Sequence, residues 1–468
     1  MMANAAQAEV QPIFSKGYRS WFLTLLVAIY ACSFIDRIIL STIGQAIKVD
    51  LKLSDLQFGL LGGMAFALFY STFGIPVARL AEKANRVTII SVCIAIWSLM
   101  TALSGVAQNY WQLVFFRMGV GLGEGGCSPA AHSLISDHYE PKKRASALAI
   151  YSIGVPLGSM LGAVAGGWVT ETFSWRMAFF VVGVPGLVLA LLARLTLKEP
   201  PRGYAEGTTA PAVAPPLTAV IRRLLATPTF VHVAAGCVLT NLASNGINVF
   251  APSYLVRSFH MSFTEVGLLY GLVIGGSGTL GILIGGLGAD LAARRDGRWY
   301  VWAPAIGVIL CLPMFLIAFT RGGAYSTAAF IFVGSLLMSI YFAPTFAVIQ
   351  NLVDSRMRAS AAALILLLMN IFGQGLGPSV MGGVSDFIAA GLFKLGDYAS
   401  LCPGGMAAKG AAPELMAACS HASSTGLQRS ILITCGFFAW GALHYVLAAK
   451  HIRKDMAKAA LTQTAPAA

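Results

Sequence analysis

The chain has 468 residues, 57% of them hydrophobic and only 11% charged, with a formal net charge of +13 and a mean hydropathy of +0.74. Water-soluble domains carry roughly 25% charged residues, so a soluble globular fold is excluded, and the apolar excess excludes a disordered chain. What remains is a protein whose segments cross a bilayer.

A helical span needs about 20 apolar residues. Stretches without Asp, Glu, Lys or Arg run over 56–78, 87–107, 145–170, 177–193, 224–256, 266–289, 299–320, 322–353, 359–385 and 430–449. Two further apolar segments, 20–46 and 110–137, have the right length but carry Asp36 with Arg37, and Arg117 with Glu124. The expectation is therefore an all-α membrane protein with twelve transmembrane helices. Residues 1–19 lack the small-residue cleavage pattern of a signal peptide, so the first span is expected to stay as an uncleaved anchor.

Twelve spans put both termini on one side. Most of the 32 Lys and Arg residues fall on the segments of that same side, and the positive-inside rule makes it the cytoplasm. The predicted location is a plasma membrane, the inner membrane of a bacterium. Basic residues at helix ends meet anionic headgroups, so the net charge calls for no nucleic acid.

Along the chain, 1–198 holds the first six spans and 199–226 forms a linker. Its Pro, Ala, Gly and Thr up to about residue 216 cannot bury a core. Leu217, Val220, Ile221, Leu224 and Leu225, at helical spacing beside Arg222 and Arg223, fit either a short helix on the membrane surface or the start of the seventh span. Residues 227–449 hold the last six spans, with a polar external segment at 389–428, and 450–468 form a cytoplasmic tail. Cys402 and Cys419 fall in that external segment, where an oxidising compartment predicts a disulfide. The other six cysteines lie in apolar spans, where packing accounts for them, and their spacing is unlike that of metal ligands. No cofactor or metal site is expected.

The halves repeat. Arg144-Ala145-Ser146-Ala147 recurs 214 residues later as Arg358-Ala359-Ser360-Ala361, each after an acid, Asp137 and Asp354, that closes the preceding span. Leu80-Ala81-Glu82-Lys83-Ala84-Asn85-Arg86 is echoed by Gly288-Ala289-Asp290-Leu291-Ala292-Ala293-Arg294-Arg295, again between the second and third spans of a half. Two motifs in the same order at nearly one offset indicate a duplicated six-helix bundle.

On these residues the chain resembles the major facilitator superfamily over nearly its whole length, which implies two pseudo-symmetric six-helix bundles. The family's loop pattern is Gly-x-Leu-Ala-Asp-Arg-x-Gly-Arg-Arg. Here Glu82 stands for the Asp, Ala78 and Asn85 for the glycines, and Val87 for the last base. The resemblance implies a cytoplasmic gate of acid and base pairs, carried onto Glu82, Arg86, Asp137 and Arg144, and by the repeat onto Asp290, Arg294, Asp354 and Arg358. Plain positive-inside anchoring explains the bases but not the repeated acids.

A charge at mid-bilayer costs about 3 kcal/mol or more, so Asp36, Arg37, Arg117 and Glu124 require a reason. Arg117 and Glu124 lie seven residues apart, two turns, on one face and about 10 Å apart along the axis. The superfamily resemblance sets the first and fourth spans face to face, so Asp36 or Arg37 meets Arg117. Glu124 has no obvious partner and is the expected proton carrier, with Asp36 as the second acid. The alternative is that the four satisfy one another and hold the first bundle together. The words Ser33-Phe34-Ile35-Asp36-Arg37 and Arg117-Met118-Gly119-Val120-Gly121-Leu122-Gly123-Glu124-Gly125-Gly126-Cys127-Ser128-Pro129-Ala130 are similar to the spinster branch. That resemblance implies lysophospholipid or sphingosine-phosphate export.

Gly121-x-Gly123-x-x-Gly126 matches a dinucleotide fingerprint, but no strand precedes it and it lies in a span. Close helix packing explains these glycines and the stripe Gly154, Gly158, Gly162 and Gly166. In the seventh span Asn241, Asn245 and Asn248 form one helical stripe, which either lines a cavity or bonds a neighbouring helix. Tyr30, Tyr270 and Asn370 are further substrate-contact candidates.

The reading is a proton-coupled secondary transporter of an amphipathic anion or lysolipid, acting as a monomer by alternating access. Arg37 and Arg117 attract the anionic head. A transporter of small organic anions or drugs is the alternative, and a non-transporting sensor a remoter one. No nucleotide-binding loop or nucleophile motif supports an enzyme.

Overall fold

The computed structural model describes residues 14–201, 216–354 and 357–464, all helix or connection without strands. In order, the spans are Lys16–Asp50; Asp55–Gly62 with Met64–Ala81; Arg86–Ser104; Tyr110–Gly125 with Cys127–His138; Pro141–Ser152 with Gly154–Thr172; and Trp175–Thr196. The second half follows with Pro228–Phe259; Phe263–Ala293; Trp299–Thr320; Ala324–Ser339 with Phe342–Asn351; Arg358–Leu368, Met369–Gly375 and Leu376–Leu392; and Pro413–Thr434 with Gly436–Ala448. Eleven are long and apolar enough to cross a membrane. The fourth, which carries Arg117 and Glu124, is not among them.

Polar residues set where spans begin. Ser54 and Ser262 build capping boxes with Gln57 and Glu265 at the starts of the second and eighth spans. Asn85, Asn109 and Ser174 cap the third, fourth and sixth. A separate helix, Leu217–Leu225, precedes the seventh span and buries Val220 and Leu224 against the second bundle. The rest of the sequence-defined linker, 202–215, lies outside the described residues. The polar segment after the eleventh span is shorter than expected, because that span runs to Leu392 and the twelfth already begins at Pro413.

Twelve spans return the chain to the face it started from, here called the near face; the other is the far face. The bundles meet over their far halves. A Cβ on Gly63, where the second span breaks, would lie 2.5 Å from Gly375 O and 2.8 Å from Gln374 O of the eleventh. Gly59 likewise meets Pro378 O, and Gly382 meets Asp55 O. Between the fifth and eighth spans, Gly167 faces Phe263 O and Gly267 faces Ala163 O, with no room for a side chain. Toward the near face the glycines turn to their own bundle, Gly281 and Gly285 to Leu336 and Ile340, Gly125 to Tyr70. Exposed Trp111, Leu287 and Phe387 belong to the lipid-facing belt.

Candidate functional site

Two glycine-paved approaches assemble the mid-membrane site. On the fourth span Gly121 packs on Phe66 O of the second, and Gly123 on Trp97 N of the third. On the fifth, Gly158 packs on Ala31 and Gly162 on Ile35, which presses the first span inward beside Asp36. Consecutive residues on a helix point about 100° apart, so Asp36 and Arg37 reach different partners. Arg117 NH1 donates to Asp36 Oδ2 at 3.2 Å, and Thr101 Oγ1 donates to Asp36 Oδ1 at 2.8 Å.

Glu124, expected to stand alone, is paired: Arg37 Nε donates to its Oε2 at 2.6 Å and Ser33 Oγ to the same oxygen at 3.1 Å. The correction follows from Arg37 turning away from Arg117. The site is two acids and two bases, neutral in sum. Phe66 lies between the cations, 5.0 Å from Arg37 and 5.6 Å from Arg117, while Phe34 and Tyr70 flank Arg37 at 5.0 and 4.9 Å. Arg37 is 20% exposed and Glu124 1%. Glu124 Oε1 and Arg117 Nε are buried with no hydrogen-bond partner among the described residues.

Tyr30 stacks on Tyr151 at 4.4 Å and meets Phe34 edge-on at 5.2 Å. Across the interface, Asn241 Nδ2 donates to Tyr341 Oη of the tenth span at 3.2 Å, and Asn245 Nδ2 donates to Asn241 Oδ1 at 3.0 Å. Asn241 thus bonds a neighbouring helix, while Asn245 bonds back along its own. Tyr270 donates to the backbone carbonyl of Asn248, and Asn370 sits half-buried in the π-helical turn Met369–Gly375.

At the near face Arg86 is buried, bonded to Asp137 and, through Nε at 2.6 Å, to Glu199. This pairing lies inside the first bundle. Glu82, Arg294 and Arg358 are exposed and Asp354 is half-buried. Arg144 donates to Ser136 O at 2.9 Å, and Asp290 accepts from Tyr300 Oη at 3.0 Å.

Sequence reasoning missed a second charged cluster, at the far face. Asp55 of the second span takes Arg257 NH1 and NH2 from the seventh at 3.0 and 2.7 Å, Lys48 Nζ at 2.6 Å and Ser385 Oγ of the eleventh at 2.7 Å. Asp386 accepts the Asp55 and Leu56 backbone N–H groups at 2.9 and 2.8 Å. Cys402 and Cys419 are disulfide-bonded. Their segment lays Gly404 and Gly405 over Lys48 at φ 72 and 82, a conformation that favours glycine. Burial beside Asp55 pushes the Tyr398 phenol in this segment up to about 12, so it stays neutral.

The family model of the Major Facilitator Superfamily matches residues 26–378. An MFS-type efflux pump of Mycolicibacterium smegmatis is 35% identical over 79% of this chain and 85% of its own length. Protein spinster homolog 1 of Homo sapiens is 28% identical over 80% and 74%. The crystal structure of a bacterial homolog to the human lysosomal transporter spinster, in an inward-facing and unoccupied conformation, superposes with a TM-score of 0.84 at 31% identity, covering 97% of this chain and all of that one. With two six-helix bundles meeting as described, the chain belongs to the major facilitator superfamily, in its spinster branch, and is an integral membrane transporter rather than an enzyme.

Proposed function

We propose that the chain is a proton-coupled secondary transporter of an amphipathic organic anion, a lysophospholipid or sphingosine-phosphate-like lipid, working by alternating access. The observation that carries this is the state of Glu124. Its Oε2 is held by Arg37 and Ser33, while Oε1 is buried without a donor. An unsatisfied buried carboxylate oxygen is costly, and a proton on Oε1 removes the charge while Oε2 keeps its donors. Neutral Glu124 still accepts from Arg37 but no longer balances its charge, so the exposed edge of the guanidinium becomes available to an anionic head, with Phe34, Phe66 and Tyr70 beside it for the acyl chain. Proton and anion then favour each other's binding, so anion affinity rises as the pH falls. Asp36 with Arg117 forms the second acid and base, and Tyr30, Asn241, Asn245, Asn248, Tyr270 and Asn370 finish the cavity.

The sidedness follows the same reading. The basic near face is cytoplasmic, the disulfide faces an oxidising compartment, and the membrane is the bacterial inner one. The units are 1–198 and 227–449, joined by 199–226, in a monomer. Glu82, Arg86, Asp137, Arg144, Asp290, Arg294, Asp354 and Arg358 act as the cytoplasmic gate when the far face opens, by pairing between the bundles in place of the Arg86 and Asp137 pair now held within the first.

Reconstitution into vesicles with an imposed pH gradient tests this. Labelled lysophospholipid is expected to accumulate with the native chain and to lose its dependence on the gradient in Glu124→Gln. Undiminished gradient-driven uptake by the folded variant would refute the proton assignment. If short organic acids or hydrophobic drugs move and lysolipids do not, the second reading holds, a small-anion or drug exporter, which the likeness to an efflux pump favours.

A further inference from the structure

Arg257 is the hub of the far face. It enters from the second bundle with its side chain 6% exposed, grips both Asp55 oxygens, and donates Nε to Gln45 of the first bundle at 2.7 Å. A guanidinium has five N–H donors. Three are used, which leaves one N–H on each terminal nitrogen without a protein acceptor among the described residues. Two cavities of about 530 and 560 Å³ adjoin this side chain, and both are lined by Arg257, His260 and Ser420. One adds Arg321 and His421; the other adds Lys409 and Asp50. Among the described residues Asp50 is the sole acid lining either one, and it is engaged by Arg176 at 2.6 Å. The vestibule is therefore cationic around a buried, underused arginine.

We propose that this vestibule is an anion site that takes a phosphate or carboxylate group on the spare N–H donors of Arg257, and that its occupant competes with Asp55 and loosens the far-face closure. A second anion on one guanidinium meets the Asp55 charge in a poorly screened setting, so anion and closure oppose each other. Arg321 and Lys409 draw the anion in from solution. Headgroup phosphates and free phosphate monoesters share this chemistry. The site uses none of Asp36, Arg37, Arg117 and Glu124 and stands apart from the proton-coupled reading.

The test reads the far face itself. Leu61, fully buried in the second span below Asp55, is replaced as Leu61→Cys in the full chain, whose six free cysteines are buried. Alkylation by a membrane-impermeant maleimide then reports opening in nanodiscs. Inorganic phosphate or hexyl phosphate is expected to speed alkylation. Arg321→Ala with Lys409→Ala is expected to raise the half-saturating concentration about fivefold, since each removes one exposed charge. Acceleration only on exchanging phosphatidylcholine for phosphatidylglycerol would support the site with a lipid headgroup as its occupant. No acceleration by any of these anions, while Asp55→Asn alone speeds alkylation, would overturn it, as would a half-saturating concentration unmoved by the paired substitution.

Discussion

The molecule carries two buried charge clusters of similar make-up and opposite placement. Asp36, Arg37, Arg117 and Glu124 all belong to the first bundle. At the far face Lys48 and Asp55 come from the first bundle, Arg257 and Asp386 from the second. Pairs inside one bundle travel with it when the bundles rock, so they act on the stability of that bundle. Pairs between bundles exist only while that face is shut, so they act on which face is open. Equal numbers of charges thus do different work according to whether their partners share a rigid body.

That division can be broken most directly at Arg117. Arg117→Ala strands Asp36 in a buried site and is expected to cost about 3–5 kcal/mol, read as a lower thermal midpoint in detergent. The paired change Asp36→Asn with Arg117→Gln should recover most of the loss, and a midpoint unmoved by the single change would contradict the assignment. Gly162→Leu comes next: a Cβ there would lie 2.8 Å from Ile35 Cα and O, and overpacking of this kind costs about 1–3 kcal/mol. Gly288→Ala, with nothing within 4 Å of its Cβ, serves as the tolerated control. Asp55→Asn should act differently in kind. Opening rehydrates Lys48 and Arg257, so its effect appears as roughly ten- to hundredfold faster far-face alkylation, the loss of charge-assisted hydrogen bonds worth about 1.5–3 kcal/mol, with a smaller shift in thermal midpoint. The smallest effect is that of Ser33→Ala, about 1 kcal/mol from one hydrogen bond to Glu124, measured the same way as Arg117→Ala.

The first cluster was legible because its four charges interrupt apolar spans where nothing else is ionised. The superfamily's helix arrangement brought Asp36 or Arg37 to Arg117, and the structure pairs Asp36 with it. The Glu124 to Arg37 pairing did not follow from that arrangement, since it depends on the direction in which the first span is rotated, which the fifth-span glycines fix by packing. The far-face cluster left no comparable mark. Lys48, Asp55, Arg257 and Asp386 sit at span ends, where charges are ordinary, and Asp55 and Arg257 are 202 residues apart in sequence. Helix number and the duplication were readable from charge-free lengths and repeated loop words. The breaks at Gly63, Gly126 and Ile153 were not, because a local turn of the backbone leaves hydropathy unchanged.

Close to the bilayer centre, the eleventh span winds through Met369–Gly375 with its carbonyls bonded five residues ahead instead of four. That wider coil sets the heading of everything beyond it. Rewinding that turn to α-helix at the same chain length would swing Ser385 and Asp386 by about 100° around the helix axis, away from the carboxylate and amides they hold, so the latch at one surface is aimed by a loop of backbone deep in the hydrocarbon.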